Sequence, residues 1–132
     1  MNKYSNEQVL YFISLIRGDV GNINRITKKP YETTKEINQI IFTKGDCFRF
    51  GQIMKFVYPE AHCLLVWIRC KNKSNVSGTH IVVELENVYY DINGEYELSL
   101  FDEVDDFDYN TFNYKPCSWR ILQSFYDKKD NI

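Results

Sequence analysis

The chain has 132 residues, of which 44% are hydrophobic and 16% aromatic, and its formal net charge is −2. This length and composition predict a single globular domain over residues 1–132 and exclude a disordered or low-complexity chain. The small negative charge argues against nucleic acid and anionic membranes as partners, because an acidic protein has no general attraction to either.

The sequence also bears on the cellular compartment and on cofactors. No stretch is apolar over the roughly 18 residues of a membrane-spanning helix, and residues 1–7 lack the apolar region of a signal peptide, so we expect a cytoplasmic protein. The cysteines Cys47, Cys63, Cys70 and Cys117 are far apart and include no Cys-x-x-Cys pair. We therefore expect reduced thiols, with no disulfide framework, no metal site and no organic cofactor.

The N-terminal part of the chain predicts helices separated by a loop. Ser5 is a suitable N-cap for a helix whose apolar residues recur at helical spacing until Gly18. Residues 19–31 are rich in turn residues and predict an ordered surface loop. A threonine then caps a short helix over residues 33–41.

A further helix is predicted from Asp46 or Cys47 onward. It ends before Pro59, because the residue preceding a proline is driven out of helical geometry. Cys47 therefore lies at a helix N-terminus. The apolar residues predicted on the inner side of this helix are Phe50, Ile53, Met54 and Val57.

The middle of the chain predicts an antiparallel sheet. Residues 61–70 are apolar and β-prone, which predicts a central strand that includes a packed His62. After a polar loop, residues 79–85 and 88–91 form a hairpin. A third strand is predicted over residues 96–101, after an Asn-Gly turn at residues 93–94.

The hairpin brings polar residues to one face of the sheet. With a two-residue turn at residues 86–87, His80 faces Asn93; with a four-residue loop, it faces Asp91. Since side chains alternate with period two, Asp91 and Asn93 share a face with His80 in either register. The opposite, core face comprises Ile81, Val83, Leu85, Val88, Tyr90 and Ile92.

The last third of the chain is less informative. Residues 102–108 are acidic and predict a solvated loop, since the spacing and glycine of an EF-hand calcium site are absent. Residues 118–126 form either a short helix or a strand that covers the core.

Three of these residues are the types used in covalent acyl chemistry. A helix N-terminus favours the thiolate of Cys47, and its backbone N–H groups can hold an oxyanion. His80 is the candidate base and acid, and Asp91 would orient its ring and support the imidazolium. Asn93 is the alternative orienting residue, and Gln39 is a candidate side-chain donor to the oxyanion.

At residues 45–50, 78–83 and 88–95, which hold the cysteine, the histidine and the aspartate, the chain resembles the papain-like cysteine hydrolases, especially their compact transglutaminase-like relatives. The resemblance covers residues 45–101 and rests on the order Cys, His, Asp with separations of 33 and 11 residues. It implies an α+β fold in which N-terminal helices, including the cysteine helix, pack on an antiparallel sheet. The chain departs from the papain-like pattern because it has no glutamine at the usual offset before the cysteine. Small phage-encoded proteins carry a similar block.

The resemblance also implies acyl-enzyme chemistry on an amide, isopeptide or ester bond. We therefore predict a thiol-dependent hydrolase (peptidase, amidase or deamidase) or an acyltransferase that acts on a protein or peptide-like substrate. The first alternative is a papain-like scaffold without turnover that binds or inhibits a protein, with Cys47 as an ordinary core residue. The second is a nucleic-acid-binding protein, which the net charge disfavours and which would use Arg49, Lys55, Arg69, Lys71 and Lys73 with exposed tyrosines.

Overall fold

The computed structural model describes residues 4–18, 47–69, 76–98, 103–107 and 117–129. These residues form a five-stranded antiparallel sheet and three helices, so the chain has the expected α+β class. The helices are α1 (Asn6–Gly18), α2 (Cys47–Val57) and α3 (Trp119–Lys129). The strands are β1 (His62–Arg69), β2 (Val76–Leu85), β3 (Val88–Asp91), β4 (Gly94–Glu95) and β5 (Glu103–Asp106), in the spatial order β4-β3-β2-β1-β5.

The helix α1 begins and ends where the sequence predicts. The hydroxyl oxygen of Ser5 accepts a hydrogen bond from the backbone N–H of Gln8 at 3.1 Å, which satisfies one of the N–H groups that the first helical turn leaves unpaired. The helix ends at Gly18. Its predicted apolar face is buried at Val9, Phe12, Ile13 and Ile16.

The helix α2 starts at Cys47 and ends before Pro59, as predicted. Its last turn closes with a 2.8 Å hydrogen bond from the Tyr58 N–H to the Met54 carbonyl. Together with α1 and α3, it covers the predicted core face of the sheet. The predicted inner residues Phe50, Ile53, Met54 and Val57 are all at most 1% exposed.

The sheet confirms the two-residue hairpin turn at residues 86–87. Val83 pairs with Tyr90, and Leu85 pairs with Val88. Glu86 and Asn87 both have positive φ, 53° and 70°, as a tight hairpin turn requires.

Several boundaries differ from the sequence-based expectation. Strand β2 begins at Val76 rather than at residue 79. The turn before β4 lies at residues 92–93 rather than 93–94, and β4 comprises Gly94–Glu95. The strand predicted over residues 96–101 is wrong at residues 96–98, which belong to no strand, and residues 99–101 lie outside the described residues. The segment 118–126 is helical, with the Ser118 hydroxyl as its cap. The predicted loop at 19–31 and helix at 33–41 lie outside the described residues.

Residues 103–106 of the acidic run form the edge strand β5, which corrects the loop prediction for these four residues. It pairs with β1, and its four residues are all exposed. Two side-chain contacts join the strands: the Trp67 indole N–H donates to Asp105 at 2.8 Å, and His62 lies 2.8 Å from Asp106. The prediction that His62 is packed is therefore wrong, since its side chain is 54% exposed.

Two buried tyrosines allow a matched test of the core. The Tyr58 hydroxyl is buried without a hydrogen-bond partner among the described residues, whereas the Tyr90 hydroxyl donates to Asn6 at 2.6 Å. We expect Tyr58→Phe to leave stability unchanged or raise it by up to about 1 kcal/mol, because an unpaired buried hydroxyl is unfavourable. Tyr90→Phe should lower stability by about 1 kcal/mol. Urea denaturation measures both, and equal losses in the two variants would contradict this assignment.

Candidate active site

His80 and Asp91 form a buried pair on the sheet. The distance from His80 Nε2 to Asp91 Oδ2 is 3.0 Å, and each side chain is 8% exposed. The β2–β3 ladder begins at Val83 and Tyr90, so His80 lies beyond its end and reaches Asp91 diagonally. The two side chains therefore meet on the shared face that the alternation of strand residues predicts.

The Asp91 carboxylate is held by a second contact. Its Oδ1 accepts a hydrogen bond from the backbone N–H of Asn93 at 2.8 Å. Asn93 itself is exposed, and its main chain supports Asp91. Of the two candidate orienting residues, Asp91 is thus the one whose side chain pairs with the imidazole, and both of its oxygens are engaged.

Cys47 completes a group of three side chains. It is the first residue of α2, it is a free, partly buried cysteine, and it lies close enough to His80 to raise the pKa of the imidazole. The packing of α2 against β2 sets this approach. The structure therefore brings together Cys47, His80 and Asp91, which are far apart in sequence. Gln39 lies outside the described residues.

The surroundings of His80 favour its charged form. Burial is the largest single influence and disfavours the imidazolium, but hydrogen bonds and negative charge from Asp91 and Cys47 together outweigh it. The net result raises the pKa of His80 from 6.5 to about 9. This shift favours the imidazolium at neutral pH.

The start of α2 adds a polar feature beside the cysteine. The first N–H groups of an α-helix have no partner within the helix, and they carry the positive end of its dipole. Because Cys47 is the first helical residue, its own N–H belongs to this set. An anion formed at or next to the Cys47 sulfur would face these donors.

Tyr96 is a residue of this site that the sequence analysis missed. Its ring centroid lies 5.6 Å from that of His80, with the planes inclined at 47°. The backbone N–H of Tyr96 donates to the Tyr89 carbonyl at 2.8 Å, which places Tyr96 opposite Tyr89. Since Tyr89 precedes Asp91 by two residues, a correct turn position at residues 92–93 would have predicted Tyr96 on the same face.

Comparison with known proteins identifies a family. A family model described as "Phage YunG-like protein" matches residues 20–129, which include all three clustered residues. The chain belongs to the phage YunG-like family. This family name agrees with the expected phage origin. No curated protein and no solved structure matches the chain significantly.

The other cysteines described in this YunG-like protein have packing roles. Cys63 is buried in β1, and its thiol contacts the Gly51 carbonyl at 3.4 Å. Burial raises the pKa of Cys117 to about 11, which keeps it a thiol at neutral pH. These environments differ from that of Cys47, which lies at the start of α2 and raises the pKa of His80. Cys70 lies outside the described residues.

Of the basic residues named for the nucleic-acid alternative, the structure describes the side chains of Arg49 and Lys55 in the YunG-like chain, whereas Lys71, Lys73 and the side chain of Arg69 lie outside the described part. Arg49 is buried, and the Lys55 ammonium donates to the carbonyls of Pro59 and Ala61 at 2.6 and 2.8 Å. Among the described residues, no group of three or more histidine, cysteine or acidic side chains is arranged to hold a metal. None of the helices described is long and apolar enough to cross a membrane.

Proposed function

We propose that this YunG-like protein is a thiol-dependent hydrolase or acyltransferase that acts on an amide, isopeptide or ester bond in a protein or peptide-like substrate. The observation that supports the proposal is the buried His80–Asp91 pair, with Cys47 at the start of α2 close enough to raise the pKa of His80. A thiol, an imidazole and an orienting carboxylate are the groups that acyl transfer through cysteine requires.

In the proposed mechanism, Cys47 attacks as a thiolate. The Asp91 carboxylate is hydrogen-bonded to Nε2 of His80. The other ring nitrogen, Nδ1, therefore exchanges the proton with the Cys47 thiol. The sulfur bonds to the substrate carbonyl carbon, and the N–H groups at the start of α2 stabilise the resulting oxyanion. His80 then protonates the leaving amine or alcohol as the carbonyl re-forms, which yields a thioester on Cys47.

The second half of the reaction releases the acyl group. Water, or an amine in the case of transfer, attacks the thioester while His80 accepts its proton. The thiolate leaves, and the free enzyme is restored. Both halves use residues of this chain and require neither a metal nor an organic cofactor.

We further propose that the fold is a compact papain-like or transglutaminase-like core. In support, a helix that starts at the cysteine precedes antiparallel strands that carry the histidine and then the acid. This order agrees with the resemblance noted from the sequence.

Acylation by an activated ester tests the proposed function. We expect p-nitrophenyl acetate to acetylate Cys47 of the natural protein, with release of p-nitrophenolate and slower hydrolysis of the thioester. Peptide mass spectrometry locates the acetyl group, and absorbance follows the nitrophenolate. Cys47→Ala should abolish the acylation, whereas the control Cys117→Ala should retain it.

The contrary outcome is equally specific. If Cys47 is acetylated no faster than the other cysteines, the proposed chemistry is wrong. That result would favour the alternative of a scaffold that binds a protein without turnover.

A further inference from the structure

An open groove lies beside the candidate active site, at the sheet edge formed by β3, β4 and the residues that follow β4. It has a volume of about 490 Å³. Its lining includes two aromatic side chains, Tyr89 and Tyr96, and two exposed carboxylates, Glu95 and Glu97. None of the described residues that line the groove is basic.

The groove lies next to His80 through Tyr96. Tyr96 lines the groove, and its ring lies 5.6 Å from the ring of His80. Tyr89 lies opposite Tyr96 and two residues before Asp91, so it stands on the same face of the sheet. A substrate bound next to His80 can therefore extend past Tyr96 into the groove.

The electrostatic environment of the groove is negative. Two of the described lining residues, Glu95 and Glu97, carry carboxylates. Carboxylates attract a cation, and the faces of tyrosine rings add a cation–π contribution. An acidic or strongly apolar side chain would gain neither interaction.

We infer that this groove binds the cationic side chain of a lysine or arginine in the substrate. The inference rests on the proposed function, because it assigns the groove as a specificity pocket next to a reactive Cys47. The substrate class that follows is a basic protein or peptide. Its lysine or arginine side chain would bind in the groove and so position the reacting carbonyl near Cys47.

Covalent probes of matched size test the inference on the full chain. The probes are bromoacetyl-arginine amide, bromoacetyl-leucine amide and bromoacetyl-glutamate amide, each made with and without an intervening glycine. In each case the Cys47 thiolate displaces bromide and forms a carbon–sulfur bond. Plain bromoacetamide, which does not reach the groove, measures the intrinsic reactivity of Cys47.

We expect the arginine probe of suitable length to label Cys47 about fivefold faster than the leucine probe, and the glutamate probe to be the slowest. The double substitution E95Q/E97Q should remove this preference without changing the rate with bromoacetamide. Salt at about 1 M should also weaken the preference for the arginine probe, because exposed charges are then screened. The control Glu103→Gln alters a glutamate on β5, at the opposite edge of the sheet, and should retain the preference.

Two outcomes would overturn the inference in distinguishable ways. If bromoacetamide labels Cys47 selectively but the arginine, leucine and glutamate probes react equally, or if E95Q/E97Q leaves the preference intact, the groove assignment is wrong and the proposed function stands. If bromoacetamide shows no selectivity for Cys47, the proposed function fails and the groove assignment fails with it.

Discussion

Asp91→Asn should lower the free energy of unfolding by about 2 to 3 kcal/mol near pH 6, because the buried imidazolium of His80 would lose its counter-charge. The substitution keeps the shape of the side chain. The new amide oxygen can still accept the Asn93 N–H, so the change removes charge rather than the turn contact. The loss therefore reports on the His80–Asp91 pair.

The effect should depend on pH with a definite sign. The pKa of His80 rises from 6.5 in the unfolded chain to about 9 in the folded protein, so the folded state binds the proton more tightly. The stability contributed by this proton, on the order of 3 kcal/mol, is fully present below about pH 6.5 and is lost as the pH rises through about 9. The difference between the natural protein and Asp91→Asn should shrink over the same interval.

Urea unfolding at a series of pH values measures this difference. The exposed pair His62–Asp106 provides the control, since its two side chains are 54% and 78% exposed and lie 2.8 Å apart. Asp106→Asn should lower the free energy of unfolding by less than about 1 kcal/mol, because water screens exposed ion pairs. If Asp91→Asn also lowers the free energy of unfolding by less than about 1 kcal/mol, or if this decrease does not vary with pH, then His80 and Asp91 do not form a charged pair.

His80→Gln should slow the alkylation of Cys47 at about pH 6 by at least about thirtyfold. A neighbouring imidazolium stabilises a thiolate, and the thiolate is the form that reacts with iodoacetamide. Glutamine retains a polar side chain but carries no charge. The expected loss is smaller than the change in thiolate fraction alone, because a stabilised thiolate is also a weaker nucleophile.

Competitive labelling of the natural protein and the variant with isotopically distinct iodoacetamide measures this ratio. His62→Gln is the matched control, since it removes the exposed histidine on β1 and should leave the Cys47 rate unchanged. Equal rates for His80→Gln and the natural protein would show that the ring does not activate the thiol.

Local signals account for the elements that were predicted correctly. The Ser5 cap and Gly18 bound α1, and Pro59 limits α2. The turn at residues 86–87 fixes the hairpin register, and strand periodicity then places His80 and Asp91 on one face. These features depend on residues close together in the sequence.

The features that were missed depend on distant parts of the chain. Strand β5 forms because an acidic segment pairs with β1, and it has no apolar alternation to reveal this. His62 lies two residues before Leu64, the partner of Asp106 in that ladder, and its exposed side chain reaches Asp106 diagonally. Cys47 likewise comes close to His80 only because α2 packs on β2. The spacing of the two residues in the sequence suggests this packing but does not determine it.

The central claim is that His80 activates Cys47, and the pH profile of iodoacetamide alkylation at each cysteine tests it most directly. Peptide mass spectrometry of the folded protein gives the rate at every thiol between about pH 5 and pH 9. The account predicts that Cys47 reacts faster than Cys63 and Cys117 at about pH 6, and that His80→Gln removes this advantage. A Cys47 rate that follows those of Cys63 and Cys117 at every pH, or that is unchanged in His80→Gln, would contradict it.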